Sequence, residues 1–482
     1  MQTQNQTPQD TLLVIFGANG DLAKRKLLPS LYNLDEGDLL PKHWRVIGTA
    51  RSQVSDEEFR EVARDAIREE ERCTLDEERF ARFAERLTFT STDFRPGETQ
   101  ELAEAVRHVS RAFPDDPQLL FYLSTPPGTF GRITAGIGEA GLAKHARVVY
   151  EKPFGNDPES FGELDEIVNA VLREDQAYRI DHFLGKEMVQ NLLAFRFANG
   201  AFEAMWNRAH IDHVQIDVPE DLAVDTRVAF YDNTGAIRDM VVTHLFQVLS
   251  VVAMEPPVRL RSGPLTDEKF KVFDSMQPLS PDDVVIGQYE GYRELDGVKE
   301  GSDTDTFVAA RVHIANWRWD GVPFFLRTGK AMAVKQQLVT LAFRRPPATM
   351  FPEVPESGLE RDHLTFDLSG GGAAFSFLAK VPGPALKLGR ARMGFDYGQT
   401  GSQLIGPYER LVHDALLGDR TLFTRTDGIA RTWELVDPIL DLGDPHPYPQ
   451  GSWGPEAANE LISPRLWHMP QDPDRFSLPA IS

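Results

Sequence analysis

Leu12-Leu13-Val14-Ile15-Phe16-Gly17-Ala18-Asn19-Gly20-Asp21-Leu22-Ala23 opens on five apolar residues with β-branched Val14 and Ile15 at their centre. Such a run suits a parallel strand buried on both faces. It delivers the chain into Gly17 to Gly20, where small residues let a pyrophosphate approach backbone N–H groups at a helix start. Leu27, Leu31 and Leu34 then mark one helical face, and Pro29 is placed to kink or restart that helix. Strand, glycine-bearing turn and helix follow in the order a dinucleotide site requires. The loop lacks the full G-x-G-x-x-G pattern, so taken alone it fits an ordinary βα turn equally well.

Outward from this unit, strand-like runs recur at 45–48, 87–92, 119–123 and 147–150, and the charged stretch 55–86 reads as helical. Strands alternating with helices predict a Rossmann-like, doubly wound parallel sheet. After Asp181 the texture changes. A buried helix is expected over roughly 236–252, then successive strands at 306–314, 337–344, 363–368 and 373–380. Strands without intervening helices predict an α+β domain built on a large, mainly antiparallel sheet. The expected division is a disordered tail over 1–10, a first domain over 11–180 and a second over 181–482. The last forty residues, rich in Pro, Gly and aromatics, are expected to wrap the surface as ordered coil.

A chain of 482 residues is long for one core, and 41% hydrophobic residues suffice for two. The formal charge of −22 argues against nucleic acid or an anionic membrane as partner. Any anionic substrate must therefore meet a locally basic pocket, for which Lys152, His182, Lys186, Lys330 and Lys335 are the candidates. The single Cys73 fits a reducing cytosol, and the polar residues 1–10 carry no apolar targeting segment. No apolar run is long enough for a membrane span. The expected location is cytoplasmic.

Two stretches carry further chemistry. Where the second strand ends, NAD sites usually place a carboxylate for the ribose hydroxyls; Arg51 and Ser52 stand there instead. An arginine beside a hydroxyl suits a 2′-phosphate, so NADP is the expected cofactor, with NAD as a weaker alternative. Residues 178–193 place Asp181, His182 and Lys186 around Gly185, where an extended segment enters a helix. This cluster reads either as an ion pair at a helix start or as a phosphate site.

Taken together, Gly17 to Ala23, Glu151-Lys152-Pro153-Phe154-Gly155 and Arg179 to Glu187 resemble the glucose-6-phosphate dehydrogenase family. The resemblance continues through Ile237-Arg238-Asp239 with His244, Asn316 to Trp319, Val322 to Lys330 and Tyr448 to Glu456. It implies oxidation of β-D-glucose 6-phosphate to 6-phospho-D-glucono-1,5-lactone, the first step of the oxidative pentose phosphate pathway. It also implies a homodimer or homotetramer associating through the second-domain sheet. Gly17, Ala18, Asn19, Gly20, Asp21, Leu22 and Ala23 become the cofactor loop, joined by Arg51, Ser52, Asp93 and Phe94. Lys152, after which the peptide bond is cis in the family, reaches both nicotinamide and sugar.

The reaction needs a base with a pKa near the working pH, and histidine, at about 6.5, is suited. Spacing cannot choose among the 12 histidines. The resemblance assigns His244 as base and Asp181 as the carboxylate that supports it. It assigns His182 and Lys186 to the substrate phosphate, Glu220 and Asp239 to sugar hydroxyls, and Lys330 and Lys335 to the substrate from the second domain. No metal is expected. Two alternatives remain: a dehydrogenase of this fold acting on another hexose phosphate or free sugar, and a non-catalytic NADP-binding sensor. Phe183 stands where the family commonly has tyrosine, Asp225 to Ala229 lacks the family's glycines, and Leu368 falls where some relatives have glutamine.

Overall fold

A computed structural model describes residues 7–70, 74–224, 228–347, 351, 361–397 and 405–468. Cys73 and Asp225 to Arg227 lie outside these residues. The opening apolar run is β1 (Thr11–Phe16), with all its residues buried. It is joined by β2 (Trp44–Ala50), β3 (Leu87–Ser91), β4 (Gln118–Leu123), β5 (Ala146–Tyr150) and β6 (Ala177–Arg179). All pair in parallel, in the order β3-β2-β1-β4-β5-β6. The order reverses between β1 and β4, where the loops leaving the two strands part and open a crevice. β6 has three residues, too few to show a period, and the sequence marks it only as extended chain before Asp181.

After Gly20 the chain winds as a π-type turn over Ala23–Leu27, then as an α-helix over Leu28–Glu36 with Pro29 in its first turn. Pro29, which has no N–H to give the preceding turn, sits where the winding changes from π to α. Of the expected disordered tail, residues 1–6 lie outside the described residues, while 7–10 are tied down. Pro8 is buried. The Asp10 carboxylate accepts from the backbone N–H of His43 at 3.1 Å and meets its Nδ1 at 2.8 Å.

Cα packing divides the chain into two compact units. The first comprises Met1–Gly185, Pro257–Glu268 and Ile405–Ala430; the second comprises Lys186–Pro256, Lys269–Leu404 and Arg431–Ser482. The sequence reading gives both returning segments, 257–268 and 405–430, to the second domain. The longer of them, 405–430, finds partners for its side chains and backbone in the first unit. Phe423 packs edge-on against Tyr178 at 4.8 Å, and Arg147 donates to the carbonyls of Ala415 and Leu416 at 2.9 and 2.7 Å. A chain that leaves a unit and comes back gives no local sign of it.

Among the described residues the second unit carries nine strands. They are β7 (Ile211–Pro219), β8 (Val284–Tyr289), β9 (Phe307–Val312), β10 (Phe324–Gly329), β11 (Leu338–Phe343), β12 (His363–Asp367), β13 (Gly372–Lys380), β14 (Leu388–Asp396) and β15 (His446–Tyr448). Their order is β14-β13-β12-β11-β7-β10-β9-β8-β15. β7 runs parallel to β10 and β15 parallel to β8; the other neighbours are antiparallel. In register on the parallel pair, buried Arg327 donates to both carboxylate oxygens of Asp217 at 2.8 and 2.6 Å. The guanidinium lies over the rings of Trp467 and Trp453, at 4.3 and 5.0 Å.

The C-terminal stretch is not the surface coil expected. Tyr448 and Trp467, 0% and 6% exposed, enter a core cluster with Tyr289, Phe307 and Phe325. Residues 469–482 lie outside the described residues. Among the described residues no helix is long and apolar enough to cross a membrane.

Candidate functional site

In the first unit the crevice beyond β1 and β4 is a cavity of about 400 Å³. Gly17, Asn19 and Gly20 line it from the loop after β1, Arg51 and Ser52 from the end of β2, and Asp93 and Phe94 from beyond β3. Gly17 has a φ of +74°, and a Cβ there would lie 2.6 Å from the carbonyl oxygen of Ser124. Only glycine fits such a turn, and its small profile leaves the cradle open for a phosphate. Gly17 N–H donates to the Thr49 carbonyl at 2.8 Å, and the Asn19 amide donates to Ser52 Oγ at 2.6 Å, joining the first loop to the second. Phe94 is buried against Phe16, with ring centroids 5.4 Å apart. These features fit a dinucleotide.

Four other loop residues lie differently. Ala18 is fully buried, and Asp21 is exposed, 3.7 Å from Arg25. Leu22 and Ala23 lead into the following helix, with Ala23 buried. The sequence reading missed Thr125, Thr129 and Arg132, which also line the crevice. Arg132 approaches Asp93 at 3.8 Å, and nothing in its local pattern separates it from other surface arginines.

Further along the same unit the Lys152–Pro153 peptide bond is cis. Beside it Glu151 is buried and accepts from Tyr122 Oη at 2.5 Å. Burial pushes the Glu151 carboxyl up to about 7, against the opposing pull of the Tyr122 hydrogen bond and the Lys152 charge. Asp181 is buried and accepts from the backbone N–H of Phe183 at 2.9 Å, which closes the turn after β6. The His182 ring stacks on Tyr408 at 6.2 Å and meets the edge of Phe183 at 5.1 Å. Tyr408 comes from a returning segment and escaped the sequence reading.

The second unit gathers Glu220, Lys330 and Tyr231. Pro219 and Gly329 are register partners at the ends of parallel β7 and β10, so the next residue of each strand emerges at the same edge. There Lys330 forms an ion pair with Glu220, and its ammonium lies 5.5 Å above the Tyr231 ring. The Tyr231 hydroxyl is buried, and burial, then Asp239, Asp305 and Glu220, push its pKa well above the usual phenol value. Lys186 donates to Gln337 at the start of helix Glu187–Phe197. Lys335 is exposed in the segment before β11.

Asp239 and His244 share the π-wound segment Ile237–Leu245, which continues as helix Phe246–Ala253. His244 is 1% exposed. Side chains fix both ends of this rod. At its start Asp305 accepts from the Ile237 N–H at 2.7 Å, in space that only Gly235, with φ +68°, leaves open. At its end the carbonyls of Val251, Val252 and Met254 accept from fully buried Arg196 at 3.0, 3.0 and 2.8 Å. Terminal carbonyls lack partners within a helix, and a buried cation supplies them here. Burial lowers the pKa of Arg196 to about 10, with Glu203 opposing. A lone arginine among Leu192, Leu193 and Phe197 is a sequence signal that went unread.

Two family models match the chain: the glucose-6-phosphate dehydrogenase NAD-binding domain over residues 14–191 and the C-terminal domain over 193–468. The chain belongs to the glucose-6-phosphate dehydrogenase family. It is an oxidoreductase with a nicotinamide-dinucleotide domain. A glucose-6-phosphate 1-dehydrogenase of Aggregatibacter actinomycetemcomitans is 39% identical, over 96% of this chain and 98% of that protein. The crystal structure of the Mycobacterium avium enzyme superposes with a TM-score of 0.86 at 39% identity, over 97% of this chain and 100% of that one. A glucose-6-phosphate dehydrogenase solved in complex with its substrate gives 0.89 at 32% identity, with the same coverage.

Proposed function

We propose that this family member oxidises β-D-glucose 6-phosphate to 6-phospho-D-glucono-1,5-lactone with NADP as preferred acceptor, the entry to the oxidative pentose phosphate pathway. The observation that carries the reading is one buried imidazole, His244, on the same rod as Asp239, in the unit that also pairs Glu220 with Lys330. Sugar hydroxyls need fixed acceptors, and a hemiacetal hydroxyl losing hydride from its carbon needs a base for its proton. His244 takes that proton, and Asp181 keeps the role the family pattern gives it, support of the base. Glu220 and Asp239 accept from sugar hydroxyls, and Lys330 holds Glu220 in place. His182, Lys186 and Lys335 supply positive charge for the phosphate.

The crevice beside Gly17 takes the dinucleotide, with Arg51 and Ser52 for the 2′-phosphate and Lys152 towards the reacting end. Bound nicotinamide supplies the hydride acceptor. Association through the second-unit sheet is supported by β14 at its edge, where Met393 is 56% exposed. An unpaired edge with exposed apolar side chains favours pairing with another copy. A cytoplasmic location fits a chain with one cysteine. Absorbance at the NADPH band over a panel of sugars and sugar phosphates tests the reading. Turnover with glucose 6-phosphate alone, faster with NADP than NAD, is expected. A preference for free sugar, or no turnover with any substrate, refutes it.

A further inference from the structure

The first unit holds a second cavity, of about 550 Å³, which shares no lining residue with the dinucleotide crevice. Its walls come mainly from the two returning segments, at 260–266 and 417–425. Arg261, Arg420 and Arg425 line it, against the carboxylates of Asp175 and Asp419. Three guanidiniums thus face two carboxylates on this wall, in a chain of formal charge −22.

The charges differ in what they are already bonded to. Arg425 is committed, to Asp427 at 2.7 and 2.8 Å and Asp267 at 2.6 Å. Asp419 accepts from the Thr421 backbone at 2.9 Å and its hydroxyl at 2.5 Å, and Asp175 pairs with Arg173 at 3.0 Å. Arg420 gives one nitrogen to Glu174 at 2.7 Å and to the Ala177 carbonyl at 3.2 Å, while its Nε is buried with no acceptor among the described residues. Arg261 has no ion-pair partner among the described residues and is exposed. A buried donor left unmatched marks a place for a water or an anion. A guanidinium fork fits phosphate oxygens bidentately. The volume lies in the range of small-molecule sites, and Leu260, Leu417 and Phe423 offer apolar wall for the rest of a ligand.

The same wall is bonded to β6. Arg420 holds the Ala177 carbonyl, Phe423 packs on Tyr178, and both the N–H and the hydroxyl of Thr424 donate to the Arg179 carbonyl at 3.1 Å. Two residues beyond Arg179 stands Asp181. A phosphate that drew Arg420 from Glu174 would also disturb Arg179, which Glu174 binds at 2.9 Å.

We propose that this cavity is an effector site for a small phosphorylated molecule, held by Arg261 and Arg420, whose occupancy shifts β6 and the Asp181–His182 segment. The coupling rests on the substrate role proposed for that segment. The test is calorimetric titration of inorganic pyrophosphate into the full chain saturated with NADPH and glucose 6-phosphate, a pair that fills the other anion sites without net turnover. Saturable binding is expected, with Kd raised about tenfold in Arg261→Ala, the loss of one charge-assisted hydrogen bond. Thermal unfolding of this exposed-site variant should match the parent. In steady state pyrophosphate should change the KM for glucose 6-phosphate in the parent and leave it unaltered in Arg261→Ala. No saturable heat up to about 10 mM, or an unchanged Kd in Arg261→Ala, overturns the site. Binding without a KM response in the parent overturns the coupling. Should glucose 6-phosphate itself fail to bind, the same titration on the chain loaded with NADPH alone still reads the cavity, which keeps the two proposals separable.

Discussion

The crevice beyond β1 and β4 is made largely of backbone and small side chains, whereas the cluster beyond β7 and β10 is made of charged ones. Gly17, Asn19 and Gly20 act through where they let the chain go, and the loops that leave β2, β3 and β4 complete the cradle. Glu220 and Lys330 lie 110 residues apart and meet because two parallel strands end in register. In the first kind backbone N–H groups remain when a side chain such as Arg51 is removed, so its loss changes which cofactor is preferred rather than whether one binds. In the second kind each side chain neutralises or orients another, so a single removal leaves a partner exposed to loss. Turnover should therefore fall furthest on loss of His244 from the second unit, and cofactor choice should rest on Arg51 and Ser52 of the first.

His244→Asn tests the second unit most severely. It removes the proposed base while keeping polar volume, and kcat should fall by ~10²–10⁴-fold with glucose 6-phosphate binding nearly intact. Equal turnover in parent and variant would move the base elsewhere.

Glu151 tests whether a buried charge in the first unit bears on its stability. Its folded pKa of about 7 lies above the ordinary 4.5, because burial disfavours the carboxylate. Between those values the folded state binds more protons than the unfolded chain, so stability falls as pH rises through this window. The loss reaches ~3 kcal/mol if the shift is wholly realised. Glu151→Gln should flatten the dependence of Tm on pH between 5 and 7. A parent Tm that stays level there would show the carboxyl is not held neutral.

Arg51→Ala sharpens the contrast between the units, because it should change cofactor choice and leave kcat alone. One charge-assisted hydrogen bond is worth ~1.5–3 kcal/mol, so KM for NADP should rise roughly 10- to 100-fold while that for NAD hardly moves. Equal losses with both cofactors would assign the 2′-phosphate to another residue, with Arg132 on the same crevice the first to examine.

The smallest effect is expected at Phe183. Its ring is 3% exposed and meets His182 edge-on. Phe183→Tyr would add a donor beside a proposed phosphate ligand, and a net hydrogen bond of ~0.5–1.5 kcal/mol lowers KM for glucose 6-phosphate several-fold with little change in kcat. A rise in KM with a fall in Tm would mean the hydroxyl is buried without a partner.

Much of the first sheet was legible because its information is local. β1, β2, β4 and β5 each announce themselves by a short apolar run and β3 by alternation of Leu87 and Phe89 with threonines, and the βα turn at Gly17 lies within one unit of chain. β6 was hidden by its length. In the second unit β9, β11, β12 and β13 were legible from their runs, but β7, β8, β10, β14 and β15 were not. β7 alternates His213, Gln215 and Asp217 with Val214, Ile216 and Val218, the pattern of a strand with one wet face, yet both its faces are buried from His213 to Val218. Those polar residues are satisfied across the sheet, as Asp217 is by Arg327 and Gln336, and only pairing reveals the partner.

The sequence by itself determined the βα start, the change of texture after Asp181 and, through long motifs, the family and the residues proposed for its chemistry. Those are properties of contiguous stretches, where side-chain period and turn residues act over a few neighbours. The tertiary structure decided that 257–268 and 405–430 rejoin the first unit, that Arg196 and Asp305 clamp the rod bearing His244, and that a second arginine-lined cavity exists. Each of these joins residues remote in sequence, and their pairing is fixed by burial and by the need to satisfy buried polar groups, which no single stretch records.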